Sequence, residues 1–315
     1  MKILLVGPGI MPIPPTGWGA VELLIWDYFN QFTQLGHDVR IINTPNKSEI
    51  IKLVNDIKYD VVHLHYDEHW DVVPHLTTPL KIITSHYPYI TDQTKWGGDS
   101  YHKIMDGFKQ ISVDPTTFIY CLNKSCANVF ETFGIPSDKL RIIPNGILYE
   151  NVRFDNNVKS KDKLLCVAKI EPRKRQYLTY DVDNIYYVGK GELNHKNFLG
   201  EWSREKILDE LTNYDGFILL SEEENDSLAL KEALVAGLPC IVSEGTVKNI
   251  SIDQTLMKYV LIIPEDQLNN KEKIQNLINN HIELCRAFRE EIRNLSIKYF
   301  SFEGVVETYI NLLIK

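Results

Sequence analysis

Glu224 and Glu232 lie eight residues apart in SEEENDSLALKEALVAGLPCIVSEG, and their setting makes the spacing chemically useful. The run GFILLS (216–221) is apolar and β-prone, EEEND is a charged turn, and Ser227 to Ala236 reads as a short helix ended by Gly237 and Pro239. On a continuous helix, at about 100° per residue, the two carboxylates would sit roughly 80° apart. With the first on the turn instead, both can face one ligand at the carboxyl edge of a sheet. Carboxylates accept hydrogen bonds from the hydroxyls of a sugar or a ribose, and the amides of a helix start suit a phosphate between them. The competing reading is a solvated acidic loop before an amphipathic helix whose Glu232 points to water. The order of strand, turn, helix, GLP and a second apolar run, CIVS, favours a compact β-turn-α-β unit.

Other residues invite a chemical reading. AKIEPRKR (168–175) is a basic loop after an apolar run. It reads either as an exposed surface loop or as a functional basic site. His86 closes KIITSH at a strand end, where a structural and a functional role are both open. His63, His65 and His69 spell H-x-H-x3-H, but only the first two share a strand face and no fourth ligand lies near, so His65 at the sheet edge is preferred over zinc. Asp181-Val182-Asp183 precedes its strand rather than ending one and reads as a polar loop; no metal is expected. GPGIMPIPPTGWGAVE is not G-x-G-x-x-G, which disfavours a dinucleotide.

The elements that must position these residues are an α/β series. Apolar runs KILLVG, DVRIIN, DVVHLH, KIITSH, FIYCLN and LRIIPN recur through the first half with helical stretches between them, as in VELLIWDYFNQFTQLG. Short apolar strands without alternation imply a parallel sheet buried on both faces. KLLCVAK, NIYYVGKG, GFILLS, PCIVS and YVLII repeat the theme as a second, smaller sheet. The stretch after IIPNG reads as a linker. A chain of 315 residues suits two domains of about 150 each. We expect one over 1–148 and one over 149–299, with a last helix near 300–315 packing back on the first. Ligands bind at the carboxyl edges of such sheets, so two facing sheets imply a cleft. Between Lys174 and Asn184 there is little room for the usual connecting helix.

Composition narrows the class. The net charge is −8, and neither half of the chain is basic, which argues against nucleic acid or bulk anionic membrane as the main partner. Five cysteines, without C-x-x-C, read as reduced and mostly buried. MKILLVGPG enters a strand directly, so neither a signal peptide nor a membrane span is expected and the cytoplasm is the natural location.

The ordered words PIPPTGWGAVE, LGHDVRI, DVVHLH, TSH, IIPNGI, CVAKIEPRK, YYVGKGE, NFLGEW and LLSEEENDSLALKEALVAGLPCIVSE, taken together, resemble the retaining glycosyltransferases of family 4, the group 1 transferases. The resemblance implies the GT-B fold, two Rossmann-like parallel-sheet domains facing across a cleft. It implies that Glu224 contacts hydroxyls of the donor sugar and Glu232 the nucleotide ribose. The family's basic pair that clamps the donor diphosphate corresponds to Lys169 and Lys174, with lysine at a position usually arginine; the bidentate fork is lost there, and Arg173 lies adjacent. His86 corresponds to the cleft histidine that approaches the sugar. Gly19 and Ala20 stand where relatives have paired glycines near phosphate and acceptor. Gly189 and Gly191 form the turn beside the nucleotide, Trp202 is a candidate for stacking on the base, and Ser227 and Leu228 start the helix at the phosphate. On the acceptor side the candidates are Trp18, as packing wall or sugar platform, His65, Tyr87 and Tyr89.

Relatives commonly carry a Gly-x-Gly turn where this chain has Asn225-Asp226-Ser227, and a carboxylate beside a diphosphate is electrostatically odd. Asp226 or Ser227 is instead suited to cap the helix. The function implied is metal-independent, retaining transfer of a sugar from a nucleoside-diphosphate sugar to an acceptor hydroxyl, without a cofactor. The partners implied are the nucleotide sugar and a glycan, lipid-linked or small-molecule acceptor, with peripheral membrane contact open. The alternatives are a weakly active or inactive nucleotide-sugar binding protein and a GT-B epimerase.

Overall fold

The computed structural model describes residues 1–17, 19–95 and 99–314. The chain divides into two compact units: Met1–Asn145 joined by the chain from Val305 onward, and Gly146–Gly304. All eleven strands expected from the apolar runs form, six in the first unit and five in the second.

The first unit runs β1 (Lys2–Gly7), α1 (Ala20–Gln34), β2 (Asp38–Asn43), α2 (Lys47–Asn55), β3 (Val61–Leu64), β4 (Leu80–Thr84), α3 (Asp99–Ser112), β5 (Thr117–Cys121), α4 (Lys124–Thr132) and β6 (Leu140–Ile142). Its sheet is parallel throughout, in the order β2-β1-β3-β4-β5-β6. Ile3, Leu4, Leu5 and Val6 are all fully buried, as a central strand covered on both faces requires. Asn46 and Asn123 cap α2 and α4, accepting from the amides of Glu49 and Cys126. From β1 the chain steps one way to β2 and then places β3 on the other side of β1. The order therefore reverses between β1 and β3, the point at which doubly wound sheets bind ligands.

The second unit runs β7 (Ser160–Val167), β8 (Ile185–Val188), α5 (Arg204–Glu210), β9 (Tyr214–Leu219), α6 (Leu228–Val235), β10 (Cys240–Ser243), α7 (Glu244–Val247), α8 (Gln254–Met257), β11 (Val260–Ile263), α9 (Lys271–Cys285) and α10 (Arg289–Phe300). The last helix, α11 (Phe302–Ile314), starts in this unit and ends in the first. The order β11-β10-β9-β7-β8, again parallel, reverses between β7 and β9. As the short spacing implied, β7 and β8 are joined only by tight 3-10 turns at Pro172–Lys174 and Gln176–Thr179. The buried Arg289 guanidinium donates to the carbonyls of Thr212 (2.6 Å) and Tyr214 (2.9 Å), tying α10 to the chain entering β9. Among the described residues no helix is long and apolar enough to cross a membrane.

Candidate functional site

The reversal between β7 and β9 brings the basic loop and the acidic turn together. Pro172 opens the 3-10 turn that carries Arg173 and Lys174, and the Arg173 carbonyl accepts from the Glu222 amide at 2.8 Å. Lys174 is ion-paired with Glu224. The Arg173 guanidinium lies 3.9 Å from the same Glu224 oxygen and donates to the Glu223 carbonyl at 2.9 Å and to Glu171 at 2.8 Å. Lys169, roughly half exposed, reaches Glu171 at 3.2 Å. The cations read from the loop thus converge on one carboxylate pair, Glu171 and Glu224, rather than lying free on the surface.

Helix α7 and the two residues after it clamp the acidic turn from the other side. The Glu224 amide donates to the Gly245 carbonyl at 3.0 Å. The Asn249 side-chain amide donates to the Glu224 carbonyl (2.9 Å) and the Glu223 carboxylate (3.2 Å), which also pairs with Lys248 at 2.6 Å. A Cβ at Gly245 would stand 1.9 Å from the Glu222 carbonyl oxygen, so only glycine allows this approach. Gly245, Lys248 and Asn249 escaped the sequence reading because their motif carries no chemical signature apart from the turn it grips.

Asn225-Asp226-Ser227 resolves the charge conflict. Asp226 turns inward to Lys231, 2.6 Å away, with both side chains 2% exposed, and brings no bare charge to the sheet edge. Burial lowers the Lys231 pKa, opposed by the Asp226 carboxylate that keeps the ammonium paired. Ser227 caps α6, accepting from the Leu230 amide at 3.4 Å, and Leu228 is its half-buried first residue.

Glu232, in α6, is 4% exposed and ion-paired with Arg204 at the start of α5. Ser203 caps that helix by accepting from the Lys206 amide. Trp202 is half-buried, with the Lys206 ammonium 4.4 Å from its ring centroid. Gly189 and Gly191 are required by protein packing: added Cβ atoms would stand 1.7 Å from the Ala168 carbonyl oxygen and 2.8 Å from Ile170, with Gly191 at φ +126°. Sequence reasoning missed Arg204, which lies outside the motif words, and Lys231, which lies inside one but reads there as a solvated position of the helix.

In the first unit, Gly19, at φ +136°, precedes α1, and Ala20 is the helix's exposed first residue. Glu22 in the same turn is buried, which pushes its carboxyl pKa up against the pull of its backbone hydrogen bonds. Trp18 lies outside the described residues, as does the Tyr89 side chain; Tyr87 is 40% exposed. His86 is half-buried just past β4, with its pKa lowered by burial to about 4. His65 sits beneath it rather than at an open edge, 2% exposed, with Nδ1 3.4 Å from His86 Nε2. His63 and His65 share a face as expected, ring centroids 3.8 Å apart. Tyr309 of α11, which the sequence reading did not connect to this site, reaches His63 Nδ1 at 3.0 Å. His69 instead packs edge-on against Tyr66. Asp67 accepts from Ser85 at 2.7 Å, anchoring the end of β4.

Residues 31–150 match the family described as Glycosyltransferase Family 4. No curated protein matches the chain in sequence at a significant level. Among solved structures, Anabaena HepE in complex with UDP-glucose is similar at a TM-score of 0.75 and 13% identity, over 99% of both chains. Sucrose-phosphate synthase from Thermosynechococcus elongatus gives 0.74 and 12%, over 99% of this chain and 98% of that one. The lipopolysaccharide outer core galactosyltransferase WaaB, in its apo form, gives 0.69 and 13%, over 100% and 99%. At these identities the likeness is one of fold, and it agrees with the two parallel sheets and their orders. The fold that the motif words implied is borne out: two parallel-sheet α/β units of the GT-B type.

Proposed function

We propose that this GT-B chain, which matches glycosyltransferase family 4 over residues 31–150, is a retaining, metal-independent glycosyltransferase that moves a sugar from a nucleoside-diphosphate sugar to an acceptor hydroxyl. The observation that carries the reading is the convergence of Lys174 and Arg173 on Glu224 where the second sheet reverses its order. A diphosphate entering there would compete with Glu224 for Lys174. That exchange would stabilise the leaving group and free the carboxylate for the sugar hydroxyls. Glu232 would take the ribose hydroxyls.

In the proposed step the acceptor oxygen bonds to the anomeric carbon on the face that the diphosphate leaves. The carbon–oxygen bond to the diphosphate breaks, and a diphosphate oxygen takes the acceptor proton. Lys174, Arg173 and Lys169 would offset the negative charge gained by the leaving group, a role that otherwise falls to a divalent metal. Gly19, Ala20 and His86 are assigned to the sugar and phosphate, and Tyr87 to the acceptor. The likeness to HepE, whose structure contains UDP-glucose, supports the donor class.

The test is transfer from a panel of nucleotide sugars to sugar and lipid-linked acceptors, with the product anomer read by NMR. Retention of the donor configuration and full activity in chelator are expected. Glu224→Ala and Lys174→Ala should each lose on the order of 100-fold or more in kcat. Wild-type rates in both variants, an inverted product, or donor binding with neither transfer nor hydrolysis would each overturn the proposal.

A further inference from the structure

We propose that His65 is a positioning residue that sets the tautomer of His86, so that His86 presents its N–H from Nδ1. His65 Nδ1 and His86 Nε2 are 3.4 Å apart and can share only one proton between neutral rings. The other nitrogen of His65, Nε2, is buried and has no hydrogen-bond partner among the described residues. An orphaned buried N–H is rarer and more costly than an under-used acceptor. The proton of His65 therefore belongs on Nδ1, where it is donated to His86, and the bare lone pair of Nε2 is left unpaired. His86 then accepts at Nε2 and, being neutral, carries its own hydrogen on Nδ1.

The surroundings hold His65 in the orientation this requires. Its ring lies against His63, at 3.8 Å between centroids and 32° between planes. His63 is pinned at both nitrogens, Nε2 to the Thr84 hydroxyl at 2.8 Å and Nδ1 to the Tyr309 hydroxyl at 3.0 Å. Thr84 is the last residue of β4, two before His86, so one strand end orients both the support and the supported ring. Tyr28 closes the side, its ring 5.8 Å from that of His65. Burial keeps His63, His65 and His86 below the ordinary histidine range, which holds the chain of rings neutral.

The chemical consequence rests on the proposed function, in which His86 meets the donor sugar. A ring with hydrogen on Nδ1 is a donor there: it can hold a sugar or phosphate oxygen but cannot receive the proton of the acceptor alcohol. His86 is thereby assigned to hydrogen bonding rather than to general-base work.

The test uses the full chain labelled with 15N-histidine, with His65 and His86 signals identified by loss in His65→Asn and His86→Gln. In the wild type both rings are expected to show a protonated Nδ1 and a bare Nε2. His65→Asn can place an amide N–H where Nδ1–H stood and should leave the His86 pattern unchanged. His65→Leu removes the donor, and His86 should then carry hydrogen on Nε2 in a measurable fraction. The His63 signals report in each variant whether the surrounding structure is kept. A wild-type His86 protonated on Nε2, or an unchanged His86 in folded His65→Leu, would overturn the proposal. In transfer assays His65→Leu should lower kcat about 10-fold with donor KM little changed, with His65→Asn restoring it. Should no variant, wild type included, transfer sugar, the functional reading fails while the nitrogen spectra still decide the tautomer.

Discussion

Arg204 and Glu232, the first residue of α5 and a mid-helix residue of α6, form an ion pair across 28 positions of sequence. The carboxylate assigned to the ribose is therefore not bare in the free protein. Arg204→Ala leaves an almost fully buried carboxylate without its cation and should cost about 1–3 kcal/mol of stability. Glu232→Gln keeps an acceptor at the site and should unfold at a higher denaturant concentration than Arg204→Ala. For nucleotide binding by calorimetry, Glu232→Gln should be the weaker of the two. The reverse order in both measurements would remove the ribose assignment.

Asp226 and Lys231 offer a cleaner thermodynamic prediction. Either single alanine strands a buried charge and should destabilise by roughly 3–5 kcal/mol. Asp226→Ala combined with Lys231→Ala removes both charges and should cost clearly less than the sum. Equilibrium unfolding in urea, read as a double-mutant cycle, gives the coupling. Additive effects would mean that the pair does not hold the turn.

Gly245→Ala probes the grip on the acidic turn without touching a charge. A methyl group 1.9 Å from the Glu222 carbonyl oxygen forces backbone to move, and such overpacking costs about 1–3 kcal/mol. Because the Gly245 carbonyl holds the Glu224 amide, transfer should fall along with the melting temperature. A variant with unchanged melting and unchanged activity would show that the clamp does not position Glu224.

Much of the architecture could be read from the chain because buried parallel strands advertise themselves as short unalternating apolar runs. KILLVG and CIVS became β1 and β10 nearly residue for residue. The site was legible where chemistry was concentrated in contiguous words, as with Lys174 and Glu224. It was not legible where a partner arrives from elsewhere. Tyr309 contacts His63 across 246 residues, and no local pattern marks one tyrosine of an apolar helix face as a histidine partner. Asp226 looked like a misplaced charge because its neutralising lysine, five residues on, reads as one more solvated position of an amphipathic helix. Gly189 and Gly191 carried a ligand role in the reading, whereas backbone crowding by Ala168 and Ile170 already accounts for both glycines.

Acid sensitivity follows from the buried rings. The folded pKa values of His63 and His65 lie well below 6.5, and those of His69 and His86 fall to about 4. Below 6.5 the unfolded chain binds protons that the folded chain refuses, so stability should drop as pH falls from 6.5 toward 4. Each such histidine contributes a slope of about 1.4 kcal/mol per pH unit in that window. Asp67 and Glu22, with carboxyl pKa values raised by burial, act in the opposite sense at the acid end. The urea midpoint should be lower at pH 5 than at pH 7, and His65→Asn should flatten the difference. An equal or higher midpoint at pH 5 would contradict the buried neutral rings.

The last helix also fixes an order of events during synthesis. The strands of the first unit are complete at residue 142, yet the tyrosine that closes on His63 is not made until residue 309. The intervening 146–304 form a unit whose chain is contiguous. The first unit therefore cannot reach its final packing until the whole of the second has been made, unlike an N-terminal domain that folds as soon as it is synthesised. A chain truncated after residue 304 would keep every residue of the second unit and leave the first without the tyrosine that closes on His63.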